Sequence, residues 1–383
     1  MVYEPAEDTF LLEKAVDKFA YGDVLEIASG SGHLVEVSAQ NKKIDSITAT
    51  DIDKESVDFM KKKKIPKTKV ILSDLFKNIK GTFDTIFCNP PYLPEDHREP
   101  VDSQLATTGG KKGHEFTIRF LEAAHPHLNP DGIILLVVSS QGNKFHIDNY
   151  LKENLWDSEI VGQKSMFFEI LYIYKIARSE TKKQIDAIVS NATYVAKGRR
   201  SIVLKGIFKK KPCAVKVSTA SHFDPSIEAS WIKKMNSLGI GPELYLVKTK
   251  FLIVEWIQGS RILEYLEQQK NPGIKEKVIT KVLNEMFTLD INNITKEEMH
   301  HPVKHIIVTN KNKPILIDFE RCHQTNKPKN LTQFIQFLCS QELKKLLSNT
   351  HLRFDRNTLH HVLQMYKASP NKQTFAEIME KII

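Results

Sequence analysis

The tetrapeptide Asn89-Pro90-Pro91-Tyr92 follows an apolar run, Phe83-Asp84-Thr85-Ile86-Phe87-Cys88, that reads as a strand. Paired prolines fix φ and carry no N–H, so the carbonyls around them are free to face a ligand. The Asn89 side-chain oxygen and the Pro90 carbonyl then each accept one N–H of a planar NH₂ group, while Tyr92 offers a ring on which that group stacks. A nitrogen of this kind is a poor nucleophile, because its lone pair is delocalised into a π system. Two in-plane acceptors orient it and accommodate the positive charge that develops as it takes up a methyl group. Asn89, Pro90 and Tyr92 are the candidate catalytic residues.

Three further strand ends carry ligand-type residues. Val24-Leu25-Glu26-Ile27 runs into Ala28-Ser29-Gly30-Ser31-Gly32 and then a helix, which puts glycines at a strand-to-helix turn where backbone passes close to a ligand. The acid-x-Gly-x-Gly-x-Gly form is altered here, since Ala28 replaces the first glycine. Asp51, 21 residues beyond Gly30, ends the next strand, where a carboxylate accepts hydrogen bonds from both hydroxyls of a ribose. Ser73-Asp74-Leu75-Phe76 ends the third, where a short acid accepts an adenine amino group. A turn-capping acid explains any one of these as well. Together, and in this order, they point to a nucleoside, and the acceptors at 89–92 make it a methyl donor rather than a nicotinamide dinucleotide.

These residues need a scaffold that brings successive strand ends to one edge. From Asp23 to about Ala177 the strand-like runs 24–27, 47–50, 69–72, 85–88 and 133–138 alternate with helical stretches, which predicts a parallel sheet with helices on both faces. The polar stretch Ser179 to Ile188 reads as a join, and the run Lys61 to Lys64 as a solvated helix end. Beyond the join the chain is strand-dense (201–208, 212–217, 251–254) and then mostly helical from Arg261. At 383 residues the chain exceeds what one core organises. The expected domains are 1–180 and 181–383, the second divided into a sheet lobe, 181–257, and a helical lobe, 258–383.

The opening segment Val2-Tyr3-Glu4-Pro5-Ala6-Glu7-Asp8-Thr9-Phe10-Leu11-Leu12, the turn at 26–32, Asp51, Asp74-Leu75, Asn89 to Tyr92 and Gly109-Gly110-Lys111-Lys112-Gly113 resemble the archaeal and eukaryotic branch of the HemK-type methyltransferases, over about residues 1–178. The resemblance implies a Rossmann-like class I methyltransferase fold with a mostly parallel seven-stranded sheet. It implies S-adenosylmethionine as cofactor, held by Thr9, Glu26, Ala28, Gly30, Asp51, Asp74, Leu75 and Asn89. The substrate it implies is the side-chain amide of the glutamine in the Gly-Gly-Gln loop of a class I peptide release factor, and the partner a small zinc-binding activator subunit. Ala28 and the stretch Leu93 to Thr108 depart from that family.

In the second half, Ala214-Val215-Lys216-Val217 lies on a strand, and Glu228 follows twelve residues later in a helical stretch. A buried strand lysine that pairs with a helix glutamate and touches nucleotide phosphates is the kinase arrangement. Val254-Glu255-Trp256-Ile257 stands where a hinge would be, and Asp318, within Pro314 to Glu320, is the candidate Mg²⁺ ligand. With Pro302-Val303-Lys304-His305-Ile306-Ile307-Val308, these features resemble the small archaeal predicted serine/threonine kinases, relatives of the RIO and other atypical kinases. That implies an α+β two-lobed domain binding ATP and Mg²⁺ through Lys216, Glu228, Glu298 and Asp318. The usual His-Arg-Asp site reads Lys296-Glu297-Glu298, with Glu298 in the slot of the base, and Lys304 or His305 stands where a metal-binding Asn belongs. Phosphoryl transfer and a non-catalytic docking platform both stay open. His300, His301 and His305 read as hydrogen-bonding rather than metal-ligating.

Charge is divided unevenly. Residues 1–180 hold 22 Lys and Arg against 28 Asp and Glu, net −6, while residues 181–383 hold 33 against 18, net +15. A basic second half suits an RNA, ribosome or acidic protein neighbour. The longest clean apolar runs, 133–138 and 251–254, are far short of a membrane span. The start of the chain lacks the pattern of a secretory signal, and the scattered Cys88, Cys213, Cys322 and Cys339 form no disulfide framework or zinc site, so a cytoplasmic protein is expected.

Two enzyme readings share the 89–92 chemistry with glutamine methylation: an exocyclic amine of nucleic acid, at adenine N6 or guanine N2, and a protein lysine. A base in duplex DNA needs flipping and a basic groove, whereas the first domain is acidic. A third reading makes the chain a non-catalytic sensor or docking module on translation machinery.

Overall fold

A computed structural model of the chain describes residues 4–219 and 224–383. Val2 and Tyr3 of the opening segment lie outside the described residues. The chain forms two compact units, residues 1–188 and 189–383.

The first unit runs α1 (Glu7–Phe19), β1 (Gly22–Ile27), α2 (His33–Gln40), β2 (Ile44–Asp51), α3 (Lys54–Lys63), β3 (Thr68–Leu72), β4 (Phe83–Cys88), β5 (Leu93–Pro94), α4 (Val101–Thr107), β6 (Thr108–Gly110), α5 (Glu115–Ala124), β7 (Leu128–Ser139), α6 (Lys144–Glu153), β8 (Trp156–Ser165), β9 (Ile170–Arg178) and α7 (Glu180–Asp186). Seven strands make one sheet in the order β3-β2-β1-β4-β7-β9-β8. The first five are parallel, and β9 runs antiparallel to both β7 and β8.

The two-residue period of a strand explains how this sheet is buried on both faces. In β7, Ile134, Leu136 and Val138 enter one core, while Ile133, Leu135 and Val137 enter the other. In β1, Leu25 and Ile27 join the first and Val24 the second. α1 covers the second face with Leu12, Ala15 and Val16, spaced as one side of a helix.

Strand order reverses between β1 and β4, and Ile27 pairs with Cys88 in register. Ala28 and Asn89 therefore leave the sheet side by side, at the crevice where open α/β sheets bind ligands.

Two readings are sharpened. The division between units falls after α7, because Asp186 accepts from Arg178 Nε at 3.1 Å and pairs with His125 Nε2 at 2.8 Å, and Arg178 also donates to the carbonyls of His125, Leu128 and Asn129. In the lysine run, Lys61, Lys62 and Lys64 are exposed, but Lys63 is not merely solvated. Its ammonium donates to the Ser31 carbonyl at 2.9 Å and pairs with Glu36 at 3.1 Å, tying α3 to the Gly30–Gly32 turn.

The second unit opens with β10 (Val189–Lys197), β11 (Ser201–Phe208), β12 (Lys211–Ser218), α8 (Pro225–Ser237), β13 (Leu244–Val247) and β14 (Phe251–Glu255). These strands form an antiparallel sheet, β10-β11-β12-β14-β13. It continues with β15 (Gly259–Arg261), α9 (Ile262–Gln268), α10 (Pro272–Ile291), β16 (Ile294–Lys296), β17 (Ile306–Thr309), β18 (Pro314–Leu316), β19 (Cys322–Gln324) and four helices from Asn330 onward. One apolar cluster joins Ile232 and Met235 of α8 and Leu252 of β14 to α10 and the later helices. Asp290 is the polar hub beneath it, accepting from Asn330 N and Nδ2, Leu331 N and the Tyr366 hydroxyl. All four cysteines are buried free thiols. Among the described residues no helix is long and apolar enough to cross a membrane.

Candidate active site and a second polar cluster

At the switch point lies a cavity of about 720 Å³. Thr9, Glu26, Ala28, Gly30, Asp51, Asp74, Leu75, Asn89, Pro90 and Tyr92 all line it, so the first-unit residues singled out in the sequence are brought together.

The strand ends are laced by backbone. Gly30 N–H donates to Asp51 Oδ2 at 2.8 Å, and Asp53 N–H to Asp51 Oδ1 at 2.9 Å. Ser29 N–H donates to the Thr50 carbonyl, and Ser73 N–H to the Asp51 carbonyl. Asp51 is 8% exposed and Glu26 2% exposed. Burial raises the Asp51 pKa, against the hydrogen bonds from Asp53 and Gly30. Burial also pushes Glu26 well above the usual carboxylate range, and the Asp51 charge adds to this.

Backbone conformation is costly at two lining positions. Ala28 has φ 60° and Leu75 φ 49°, in the left-handed region that glycine alone enters freely. Position 28 is thus one where glycine would be relaxed. Asp74 faces the cavity, but its carboxylate already pairs with Lys77 at 2.7 Å and Arg119 at 3.5 Å, and the hydrogen bond from Lys77 lowers its pKa.

Among the described residues, Asn89 Oδ1 and Glu26 Oε2 are lining atoms buried without a hydrogen-bond partner. A buried acceptor left unpaired costs roughly 1–3 kcal/mol, so both fit a ligand that brings N–H or O–H donors. The other end of the Asn89 amide is occupied, with Nδ2 donating to Thr9 Oγ1 at 3.4 Å. The tetrapeptide is braced from behind by glycines: a Cβ at Gly109 would come within 2.6 Å of the Pro91 carbonyl.

Residues without a forecast role also reach this site. Gln104, Leu105 and Thr107 on α4, with Thr108, form part of the wall, and Glu99 holds that segment by accepting from Ser103, Thr107 and Thr108. Asp8 lines the cavity beside Thr9. The opening motif was visible in the sequence, but nothing in it distinguished an inward carboxylate from a helix-capping one.

In the second unit Lys216, Glu228 and Asp318 also meet. Lys216 Nζ lies 2.8 Å from Glu228 Oε2, 3.2 Å from Asp318 Oδ1 and 3.6 Å from Glu320 Oε2. Burial disfavours the Lys216 charge, yet the Glu228 and Asp318 carboxylates outweigh it and hold the pKa above the usual lysine range. Asp318 sits at φ 63°, its carbonyl taken by the buried Lys296 ammonium. Glu298, the residue in the base slot, is committed elsewhere, to Arg321 and to His305 Nε2 at 2.8 Å. Hydrogen bonding from His305, then the Arg321 charge, lower its pKa. His301 packs edge-on against Phe337. Among the described residues no group of three or more His, Cys, Asp or Glu is placed to hold a metal ion.

The family model of the methyltransferase small domain matches residues 7–172. A putative protein N5-glutamine methyltransferase of Methanocaldococcus jannaschii is 36% identical over 177 residues, 45% of this chain and 89% of that protein. The mouse methyltransferase HEMK2 is 31% identical over 166 residues, 39% of this chain and 78% of its own. The release factor glutamine methyltransferase of Aquifex aeolicus is 31% identical over 132 residues, 31% of this chain and 47% of its own.

Proposed function

The chain belongs to the HemK-type family of S-adenosylmethionine-dependent protein glutamine N5-methyltransferases, and on that premise we propose that its first unit methylates the glutamine of the Gly-Gly-Gln loop in a class I release factor. The observation that carries this reading is Asn89 Oδ1, a buried acceptor without a partner among the described residues, on a cavity of cofactor size that Pro90 also lines. The Aquifex relative, a release factor glutamine methyltransferase, supports the release factor as substrate.

In this reading Thr9, Glu26, Ala28, Gly30, Asp51, Asp74 and Leu75 hold S-adenosylmethionine, which supplies an electrophilic methyl group on sulfonium. Asn89 Oδ1 and the Pro90 carbonyl accept the two N–H bonds of the glutamine amide and stabilise the charge that grows on its nitrogen. Tyr92 covers one face of the amide plane. A small zinc-binding activator subunit belongs to the same reading through the family resemblance.

The test is incubation of the protein with methyl-labelled S-adenosylmethionine and the release factor from the same cell, with and without the activator, followed by peptide mass spectrometry. Label on the loop glutamine is expected. Label on a lysine, on a nucleic-acid base, or on nothing overturns the assignment. Asn89→Ala is expected to lose methyl transfer by roughly 100-fold or more.

For the second unit the reading is an ATP-binding, kinase-like domain. It is supported by the ion pair between Lys216 and Glu228 with Asp318 3.2 Å away. The occupied Glu298 favours nucleotide binding over phosphoryl transfer. The net +15 of residues 181–383 supports a contact with RNA or the ribosome.

A further inference from the structure

We propose that Asp8 is a positioning residue that decides which atom of the Asn89 side chain faces the methyl acceptor. The inference rests on the glutamine-methylation reading of the first unit.

Asp8 lies in the first turn of α1 and is 7% exposed; Thr9 beside it is 5% exposed. Asp8 Oδ1 accepts from the Thr9 backbone N–H at 2.6 Å and from the Thr9 hydroxyl at 3.3 Å. An ionised carboxylate only accepts, and a hydroxyl has one proton to give. The Thr9 proton is therefore committed to Asp8, which leaves the Thr9 oxygen as an acceptor for Asn89 Nδ2–H at 3.4 Å. With Nδ2 drawn to Thr9, Oδ1 is the amide atom turned away from it, and Oδ1 is the buried, unpartnered one. The second carboxylate oxygen accepts from the Tyr92 hydroxyl at 3.3 Å. One side chain on α1 thus holds both ends of a tetrapeptide more than 80 positions away in the chain.

This relay has a direction. The carboxylate forces Thr9 to donate backward and accept forward, and so forces Asn89 to show an acceptor to the cavity. In Asp8→Asn the amide keeps its oxygen toward the Thr9 backbone N–H, which only donates, and so still accepts from the Thr9 hydroxyl; its NH₂ turns to the Tyr92 hydroxyl, which accepts as well as donates. Asp8→Ala removes the acceptor. The Thr9 proton is then free to point at Asn89, whose side chain turns over and presents Nδ2, a donor, to the two N–H bonds of the substrate amide.

The two variants therefore separate the accepted Thr9 proton from the carboxylate charge. Lost packing around α1 weakens cofactor binding along with turnover, whereas the relay lowers kcat alone and only where no oxygen remains at position 8. For the full chain with its release-factor substrate, Asp8→Ala is expected to lower kcat roughly 10-fold and Asp8→Asn by less than about threefold, with KM and cofactor affinity of both within about threefold of the parent. Calorimetric titration with S-adenosylmethionine checks that both variants are folded and competent to bind. Asp8→Asn losing as much kcat as Asp8→Ala overturns the proposal, as does a cofactor affinity that falls in step with kcat.

A second measurement is independent of turnover. With ¹⁵N-asparagine labelling, and the Asn89 NH₂ signal assigned by its loss in Asn89→Ala, that signal is expected to move in Asp8→Ala and to stay near its parent position in Asp8→Asn. An unmoved signal in Asp8→Ala overturns the relay. A parent protein inactive on glutamine overturns the functional reading instead, and the amide signal still decides how Asn89 is held.

Discussion

Tyr92 turns its backbone carbonyl onto Gly113 so closely that a Cβ at position 113 would sit 2.5 Å from the oxygen, at a φ of +84°. Gly142 approaches the same carbonyl, with its Cβ position 2.9 Å away. The main chain of the tetrapeptide is thus set by what is missing from its neighbours. Gly113→Ala is expected to destabilise the first unit by about 2–3 kcal/mol and to slow methyl transfer. Gly81→Ala, at φ +87° with nothing within 4 Å, meets backbone strain alone and should cost only about 1 kcal/mol and leave transfer unchanged. Urea unfolding and initial rates check both; equal losses in the two variants would reject the steric account.

Ala28 leads to the opposite expectation. Its φ of 60° costs an L-residue about 1 kcal/mol that glycine avoids. Ala28→Gly should therefore raise stability by up to about 1 kcal/mol, where a glycine placed in an ordinary helix or strand lowers it. A lower urea midpoint would show that the methyl group packs more tightly than the backbone strains.

Glu26 links stability to pH. Its folded pKa lies well above the ordinary value of 4.5, because burial and then Asp51 disfavour its charge. The folded state then binds the proton more tightly than the unfolded state, so Glu26 lowers stability progressively as pH rises from about 4.5 through the folded value. Without cofactor, Glu26→Gln should melt higher than the parent at pH 8, and the gap should shrink toward pH 5. A gap that widens on acidification contradicts this. The same variant should bind S-adenosylmethionine more weakly.

Much of the first unit could be read in the chain because each signal is local. Runs such as 86–88 and 133–138 are apolar at every position, as strands covered on both faces must be, and the ligand residues sit one or two positions past the ends of such runs. What escaped depends on partners distant in sequence. Nothing near Lys63 announces the Ser31 carbonyl, and Asp8 shows its direction only once α1 lies against residues 89–92. In the second unit Lys216, Glu228 and Asp318 were found from spacing, whereas the engagement of Glu298 by Arg321 and His305 depends on how β16 to β19 fold back on one another.

Lys216 gives the prediction for the second unit. Calorimetry with Mg²⁺ and ATP should show binding to the full chain and none to Lys216→Ala. The variant should also lose roughly 3–5 kcal/mol of stability, since Glu228 is left buried without its cation. Unchanged ATP affinity would reject the nucleotide site.

The prolines at 90 and 91 have one more consequence. In the proposed function, a crevice that meets its guest with the oxygens of Asn89 and Pro90, and with no N–H from either proline, would distinguish an amide from the acid it ages into. Deamidation turns glutamine into glutamate of nearly the same shape, but the product brings two lone-pair-bearing oxygens to a wall of lone pairs. Sites that require a missing N–H discriminate by several thousandfold or more. Such a wall would keep a deamidated loop, which has no nitrogen left to methylate, from occupying the crevice in place of an intact one.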